Sequence, residues 1–224
     1  GADYILIDNC EIHHNGTTYA GPHNRTHNFY FCAKHQMVKN CYIHHSTEGE
    51  NFKSRGDNTI FAFNWVEEEA IYSVAVDSGG GRNTLWLGNV VMKRTEPGHG
   101  QGRLLGLGDG TGVASGKLVA VNNTFITCFS RDFYLFTERS STGDAVLINN
   151  VFAGPGQTFA RMEGRGTVSG RCNWIADAAG NVPGALERTI RGSDPGFLDA
   201  ERFDFRPGAN SPLIGAGVSP EEYS

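Results

Sequence analysis

A chain of 224 residues is long enough to bury one sizeable core, either in a single elongated domain or in two small ones. The formal net charge is −5 and only 19% of the residues are charged, so the sequence lacks the basic surface expected of a nucleic-acid-binding protein. No apolar run approaches the roughly 18 residues of a membrane-spanning helix, and we therefore expect no membrane partner.

Glycine is abundant, at 30 of 224 residues, which favours a turn-rich β protein over a helical one. The chain opens inside a strand-like pattern, "ADYILIDNC", with no signal peptide before it. We expect the chain to be a processed or truncated form. Residues 1–9 would then be either a bare first coil or a surface for material that is missing.

Short apolar runs that lead into asparagine recur along the chain, beginning with "DNCEIHH" and its echo "KNCYIHH" 31 residues later. The asparagines are spaced by 23 to 34 residues and are Asn9, Asn40, Asn64, Asn89, Asn123, Asn150 and Asn173. A repeat of this length without helical spacing is typical of a solenoid of β-strands. Asparagine tolerates the left-handed backbone of a bend, and stacked amides can hydrogen-bond to one another. The sequence therefore predicts a parallel β-helix with these asparagines in one line along its axis.

Further short β patterns between the asparagines predict the other faces of each coil, and they are "ENFKSR", "IYSVAVD", "GRLLGLGD", "DFYLF" and "TFARME". Alternation places Phe52 and Ser54 inside and leaves Lys53 and Arg55 outside. The Pro-rich end of the chain departs from the repeat. We expect residues 1–180 to form the coils and 181–224 to form an irregular cap that covers the last of them.

Four motifs resemble the pectate-lyase-like right-handed β-helix superfamily: "NCEIHHN" at 9–15, "GENFKSR" at 49–55, the Asn-Asn-x-Phe bends, and "FDFRPGANSPLIGAG" at 203–217. The resemblance covers nearly the whole chain and implies an all-β fold, a right-handed single-stranded parallel β-helix. Members of that superfamily are mostly polysaccharide lyases, glycoside hydrolases, esterases and epimerases, and others are non-catalytic. The resemblance to exported bacterial members implies a secreted or periplasmic protein whose partner is a polysaccharide.

The repeated histidine pair raises the possibility of a metal site. His13-His14 and His44-His45 would lie about 5 Å apart along the axis if the two coils stack in register. We favour a structural ladder of stacked rings, and so predict no metal ligands. A proton-transfer or substrate-binding role and a zinc or copper site are the alternatives.

Lys53 and Arg55 are the strongest candidates for chemistry, because they would face solvent side by side. Counting from the asparagines places Asp77 beside Lys53 in the next coil, with Asp109 one coil further on. Such a row is either an ion-pair ladder that keeps the sheet soluble or a groove for a saccharide.

β-Elimination from a uronic-acid polymer requires a cation that neutralises the carboxylate and a base that removes the neighbouring proton. Arg55 would supply the charge and Lys53 the base, with His45 or Tyr134 as alternative bases.

Asp77 and Asp109 would orient Lys53 or bind Ca²⁺, the one cofactor that the sequence leaves open. We predict further substrate-binding residues in Arg82, in His99 of the loop 94–103, and in Tyr134.

Two other functions remain open. A glycoside hydrolase needs two carboxyl groups about 5–10 Å apart, and Asp77 with Asp109, or Glu67–Glu69, could supply them. A non-catalytic glycan-binding protein would use exposed aromatic rings, of which the candidates are Trp65, Trp86, Tyr134 and Trp174, with Trp86 more suited to the core. We rank a monomeric acidic-polysaccharide lyase first, the non-catalytic protein second and the glycosidase third.

Overall fold

The computed structural model describes residues 2–16, 27–47, 49–68, 76–78, 83–94, 103–107, 115–130, 133–137 and 142–222. Regular structure in these residues consists of 24 β-strands, numbered β1–β24 in chain order, and two 3₁₀ turns at Ala200–Arg202 and Pro220–Glu222. The described residues contain no α-helix, and no segment of them is a helix long and apolar enough to cross a membrane.

Three parallel sheets contain 22 of these strands. Sheet A is β1 (Tyr4–Asp8), β4 (His35–Lys39), β7 (Asn58–Ala62), β10 (Asn83–Leu87), β13 (Lys117–Val121), β16 (Asp144–Ile148), β19 (Val168–Arg171) and β21 (Leu186–Glu187). Sheet B is β2 (Glu11–His13), β5 (Tyr42–His44), β8 (Trp65–Glu68), β11 (Val90–Lys93), β14 (Thr124–Thr127), β17 (Val151–Ala153), β20 (Trp174–Ala176) and β22 (Ile190–Gly192). Sheet C is β3 (Phe29–Phe31), β6 (Phe52–Ser54), β9 (Val76–Ser78), β12 (Arg103–Leu107), β15 (Phe133–Thr137) and β18 (Thr158–Met162).

The chain visits sheets A, B and C in turn and then returns to sheet A one layer further on, so that each circuit forms one coil. Every strand in the three sheets pairs in parallel with its counterpart in the next coil. The prediction of an all-β protein built from parallel sheets is therefore confirmed. Sheets A and B continue to Glu187 and Gly192, which lie beyond the boundary predicted at residue 180.

The corner between sheets A and B has two residues in each coil. The first adopts the left-handed conformation, with φ between 50° and 64°, and is Asn9, Asn40, Phe63, Gly88, Asn122, Asn149, Cys172 or Arg188. The second is Cys10, Cys41, Asn64, Asn89, Asn123, Asn150, Asn173 or Thr189. A left-handed residue reverses the chain within two positions, which is why asparagine and glycine are frequent there.

The buried asparagines at the second corner position form a continuous ladder. Each side-chain amide donates to the side-chain oxygen of the next, at 3.1, 2.8, 2.9 and 3.0 Å from Asn64 to Asn173. The same oxygen accepts the backbone N–H of the preceding ladder residue, and the amide also donates to a backbone carbonyl, as Asn89 does to Phe61 at 2.8 Å. The ladder therefore pairs backbone groups that the sharp corner removes from the sheets.

The predicted single line of asparagines is correct from Asn64 onward and wrong for Asn9 and Asn40. Those two residues occupy the left-handed position, and the ladder position next to them holds Cys10 and Cys41. Cys41 continues the ladder through its backbone, since its N–H donates to Asn64 Oδ1 at 3.0 Å. The repeated "NC" and the later "NN" both fit this corner, so asparagine alone does not identify the register.

The core lies between the three sheets and combines aliphatic side chains with a column of aromatic rings. Rings stack from coil to coil, with centroid distances of 4.8 Å for Phe61–Trp86, 6.3 Å for Trp86–Phe125 and 4.9 Å for Phe125–Phe152. Trp86 is fully buried, as predicted. Trp174 is also buried, at 2% exposure, and therefore cannot stack on a sugar at the surface.

The C-terminal segment does more than close the end of the coils. Its antiparallel pair, β23 (Phe197–Asp199) and β24 (Asp204–Pro207), belongs to a segment that packs on the outer side of sheet B. Phe205 stacks on Trp65 of the third coil with ring centroids 5.7 Å apart. The outward apolar side chains of sheet B that this segment helps to bury are Met92, Ile126, Ala153 and Trp174.

We predict that Asn89→Ala lowers the free energy of unfolding by about 3 kcal/mol, because several buried backbone and amide groups lose their partners at once. The measurement is urea denaturation followed by circular dichroism. Asn83→Ala, at the exposed start of the strand that leads into this corner, is the matched control and should change stability by less than about 0.5 kcal/mol. Equal effects of the two substitutions would contradict the ladder as a stabilising element.

Candidate functional site

Neighbouring strands of sheet C bring Tyr30, Lys53 and Asp77 into one row. Tyr30 pairs with Lys53 across β3 and β6, and Lys53 pairs with Asp77 across β6 and β9. Phe52 and Ser54 are fully buried, whereas Lys53 is partly exposed, so the predicted alternation in β6 is confirmed. Of Asp77 only the backbone belongs to the described structure, and its register is the predicted one.

Tyr30 carries the most exposed described side chain of this row, at 45% exposure, and two cations lie near its ring. Lys53 Nζ is 5.8 Å from the centroid of its ring, and Arg55 Cζ is 5.4 Å from it. Both distances are within the range of about 6 Å over which a cation is attracted to an aromatic face. Together, the three side chains form an exposed aromatic surface with positive charge at its edges.

A buried carboxylate lies next to this surface. Glu50 is 2% exposed, and its Oε1 is 3.9 Å from Lys53 Nζ while its Oε2 is 2.5 Å from Nδ1 of His27. The backbone N–H of Glu50 also donates to His27 Nδ1, at 2.9 Å. Because Nδ1 accepts this N–H, it cannot also donate to the carboxylate, so Glu50 orients the imidazole through its backbone and faces the ammonium of Lys53 with its side chain. The His27 ring lies 5.5 Å from that of Tyr30.

A buried hydrogen-bond network supports the strand that carries the two cations. Ser54 Oγ is 2.7 Å from Thr59 Oγ1 and accepts the backbone N–H of Gly56 at 3.2 Å. Gln36 Nε2 donates to Ser54 and, at 2.8 Å, to Thr59. Because Ser54 lies between Lys53 and Arg55, this network holds both in place.

We name the cluster of His27, Tyr30, Glu50, Lys53 and Arg55 the sheet C site. Sequence reasoning identified Lys53 and Arg55 but missed the other three. Alternation in "FYF" was a sufficient signal for an exposed Tyr30 between two inward phenylalanines. Glu50 stands in the "GENFKSR" motif, but nothing in the sequence places His27 beside it.

The other predicted site residues are placed differently. Tyr134 is wholly buried, and its hydroxyl lies 3.3 Å from both Thr127 Oγ1 and the carbonyl of Gly154. Tyr134 is therefore a core residue, and our prediction that it binds substrate is wrong. Arg82, His99 and Asp109 lie outside the described residues.

The repeated histidines form a two-by-two array on the side of sheet B, and His45 belongs to it. His13 stacks on His44 and His14 on His45, each with centroids 4.9 Å apart and planes within 12° and 8°. The predicted stacking of about 5 Å is confirmed. Burial lowers the pKa of His14, and the neighbouring His13, His45 and His44 lower it further.

Comparison of the chain with protein-family models, with curated proteins and with solved structures gave no match. The function is therefore argued from the sheet C site itself.

We predict that Glu50→Gln destabilises the protein by about 1–3 kcal/mol, because it removes the negative charge that faces Lys53 and His27 in a buried position. Urea denaturation gives this difference. Asp3→Asn is the control, since it removes a carboxylate from the exposed Lys34–Asp3 pair, which should contribute less than about 1 kcal/mol. An unchanged midpoint in Glu50→Gln would mean that the charge of Glu50 does not stabilise the site.

Proposed function

We propose that the chain is a right-handed, single-stranded parallel β-helix and that its sheet C site binds an acidic polysaccharide and cleaves it by β-elimination. The stacked parallel sheets support this fold, because connections between parallel strands of one sheet are right-handed in nearly all proteins. The observation that carries the functional proposal is the exposed ring of Tyr30 with Lys53 and Arg55 both within about 6 Å of its centroid.

The two cations suit the carboxylate of a uronic acid. Lys53 lies on β6 and Arg55 directly follows that strand, and both cations are within about 6 Å of the ring of Tyr30 on the neighbouring strand. An aromatic face stacks on the apolar side of a sugar ring, while a guanidinium can bind a carboxylate through two parallel hydrogen bonds. Neutralising that carboxylate makes the proton on the adjacent carbon easier to remove.

The geometry changes the role proposed for Lys53. Its ammonium lies 3.9 Å from the buried carboxylate of Glu50 and its side chain is only 12% exposed, so we assign Lys53 to charge pairing and not to proton abstraction. We assign the base to the hydroxyl of Tyr30, since two nearby cations stabilise a phenolate. The base takes the proton next to the carboxylate, a carbon–carbon double bond forms, and the glycosidic oxygen leaves and takes up a proton.

A non-catalytic protein that binds acidic glycans is the second candidate. The same exposed ring and the same two cations support it, because stacking and charge pairing suffice for binding. The glycosidase alternative depends either on the carboxylates of Asp77 and Asp109, whose side chains are not described, or on Glu67–Glu69. Glu67 is buried and accepts hydrogen bonds from Trp65 and Arg94, so no observation favours this alternative. The same holds for a Ca²⁺ ion bound by Asp77 and Asp109. We also propose that the protein is a monomer and that it is secreted or periplasmic, where it would meet a polymeric substrate.

We predict that the protein, mixed with a panel of uronic-acid polymers, releases unsaturated products that absorb in the ultraviolet. Arg55→Ala and Tyr30→Phe should each reduce this rate at least about 100-fold, because they remove the neutralising charge and the base. Lys53→Ala should raise KM more than it lowers kcat, because Lys53 contributes charge to binding.

Arg161→Ala is the matched control, because Arg161 is a partly exposed arginine of the same sheet four coils away from β6. It should leave the rate unchanged. If the protein binds a uronate polymer without releasing an unsaturated product, and Arg55→Ala abolishes this binding, the non-catalytic candidate is the correct one. Full turnover in both Arg55→Ala and Tyr30→Phe would overturn the assigned roles.

A further inference from the structure

Glu11, His13 and His44 project from the outer face of sheet B, and none of them belongs to the sheet C site. Glu11 and His13 are two residues apart on β2, so they share a face, while Ile12 between them packs against the core. His44 is the direct partner of His13 in β5. One ligand atom from each of the three side chains lies within 4.8 Å of the other two.

His44 already faces the carboxylate at the spacing of two ligands on one ion. Its Nε2 is 3.2 Å from Glu11 Oε1, close to the roughly 3.3 Å between two ligand atoms at about 2.0 Å from a tetrahedral metal. The side chain of His44 is only 9% exposed, and its ring is stacked between those of His13 and Tyr42. A ring held in this way loses little further freedom when it binds an ion.

In each of the pairs His13-His14 and His44-His45, the ring of the second histidine contacts Nδ1 of the first. Nδ1 of His13 is 2.6 Å from Nδ1 of His14, and Nδ1 of His44 contacts Nδ1 of His45. Positive φ angles of 53° at His14 and 49° at His45 turn these second rings back toward the first. When His13 and His44 donate their Nδ1 protons, both retain a free lone pair on Nε2. This is the outer-shell arrangement that orients histidine ligands in metal sites.

We propose that Glu11, His13 and His44 bind one divalent first-row transition metal ion, for which Zn²⁺ is the probe. The ligands are a carboxylate oxygen and the Nε2 atoms of both histidines, a set that suits zinc and its neighbours in the series and disfavours Ca²⁺ and Mg²⁺. His14 and His45 are positioning residues. The ion joins β2 of the first coil to β5 of the second, so binding stabilises the pairing of these coils.

Isothermal titration of the metal-free full chain with Zn²⁺ tests this proposal. Wild-type protein should bind one ion with an affinity that falls at least about 100-fold in His13→Ala and in Glu11→Gln. His14→Ala should weaken binding about 10–100-fold, with the Co²⁺-substituted protein keeping its visible absorption bands but at shifted positions. Zn²⁺ should raise the midpoint of thermal unfolding in wild type and not in His13→Ala.

His35→Ala is the control, since His35 is an exposed histidine of sheet A that stacks on Tyr4. It should bind Zn²⁺ like wild type. Unchanged affinity in both His13→Ala and Glu11→Gln, or a loss of affinity in His35→Ala that equals theirs, would overturn the proposal. These outcomes do not depend on polysaccharide cleavage, so each proposal can fail without the other.

Discussion

The rest of the structure depends on how the chain turns the corner between sheets A and B. A two-residue corner is too tight for the backbone groups to pair within the sheets, and buried unpaired groups are costly. One left-handed residue makes the turn, and the next residue supplies an amide that pairs with the coils before and after it. Stacked corners fix the register of sheets A and B, and with them the alternation that sends side chains inward or outward.

Because the corner between sheets A and B always has two residues, the coils vary in length only in their other connections. The coils differ in length mainly on the way into and out of sheet C, so this sheet can acquire special side chains without disturbing the ladder. Sheet B, in contrast, is apolar on both faces and is covered by the C-terminal segment, with Phe205 on Trp65. Exposed polar chemistry is therefore concentrated on sheet C and in the first two coils of sheet B, where the histidines lie.

The sheet C site and the histidine array use the stacking of coils in different ways. In the sheet C site, unlike side chains from successive coils meet, and a phenol comes to lie beside an ammonium and a guanidinium. In the histidine array, like side chains meet, so that protonating one ring disfavours charge on the next, as the lowered pKa of His14 indicates. Neutral imidazoles at fixed spacing are good metal ligands. Stacking alone thus produces both a cationic surface and a group of potential ligands.

The sequence by itself determined the parts of the structure that depend on local period. Alternation gave Phe52 and Ser54 inward and Lys53 outward, and the spacing of apolar runs gave stacked parallel strands. The sequence also indicates that sheet B is buried on both sides, which we did not predict. Its segments "VVMK", "TFIT" and "WIA" are apolar on both faces.

Only the tertiary structure decided which residues meet across coils, because this depends on the length of each connection and not on any period. Counting from Asn40 is one residue out of register, yet Lys53 still pairs with Asp77, since the chain from the corner to β6 is one residue shorter than the chain from the next corner to β9. The approach of His27 and Glu50 to Lys53, and the burial of Tyr134, follow from the same packing of coils of unequal length. No local pattern carries that information, since each contact joins residues that are distant along the chain.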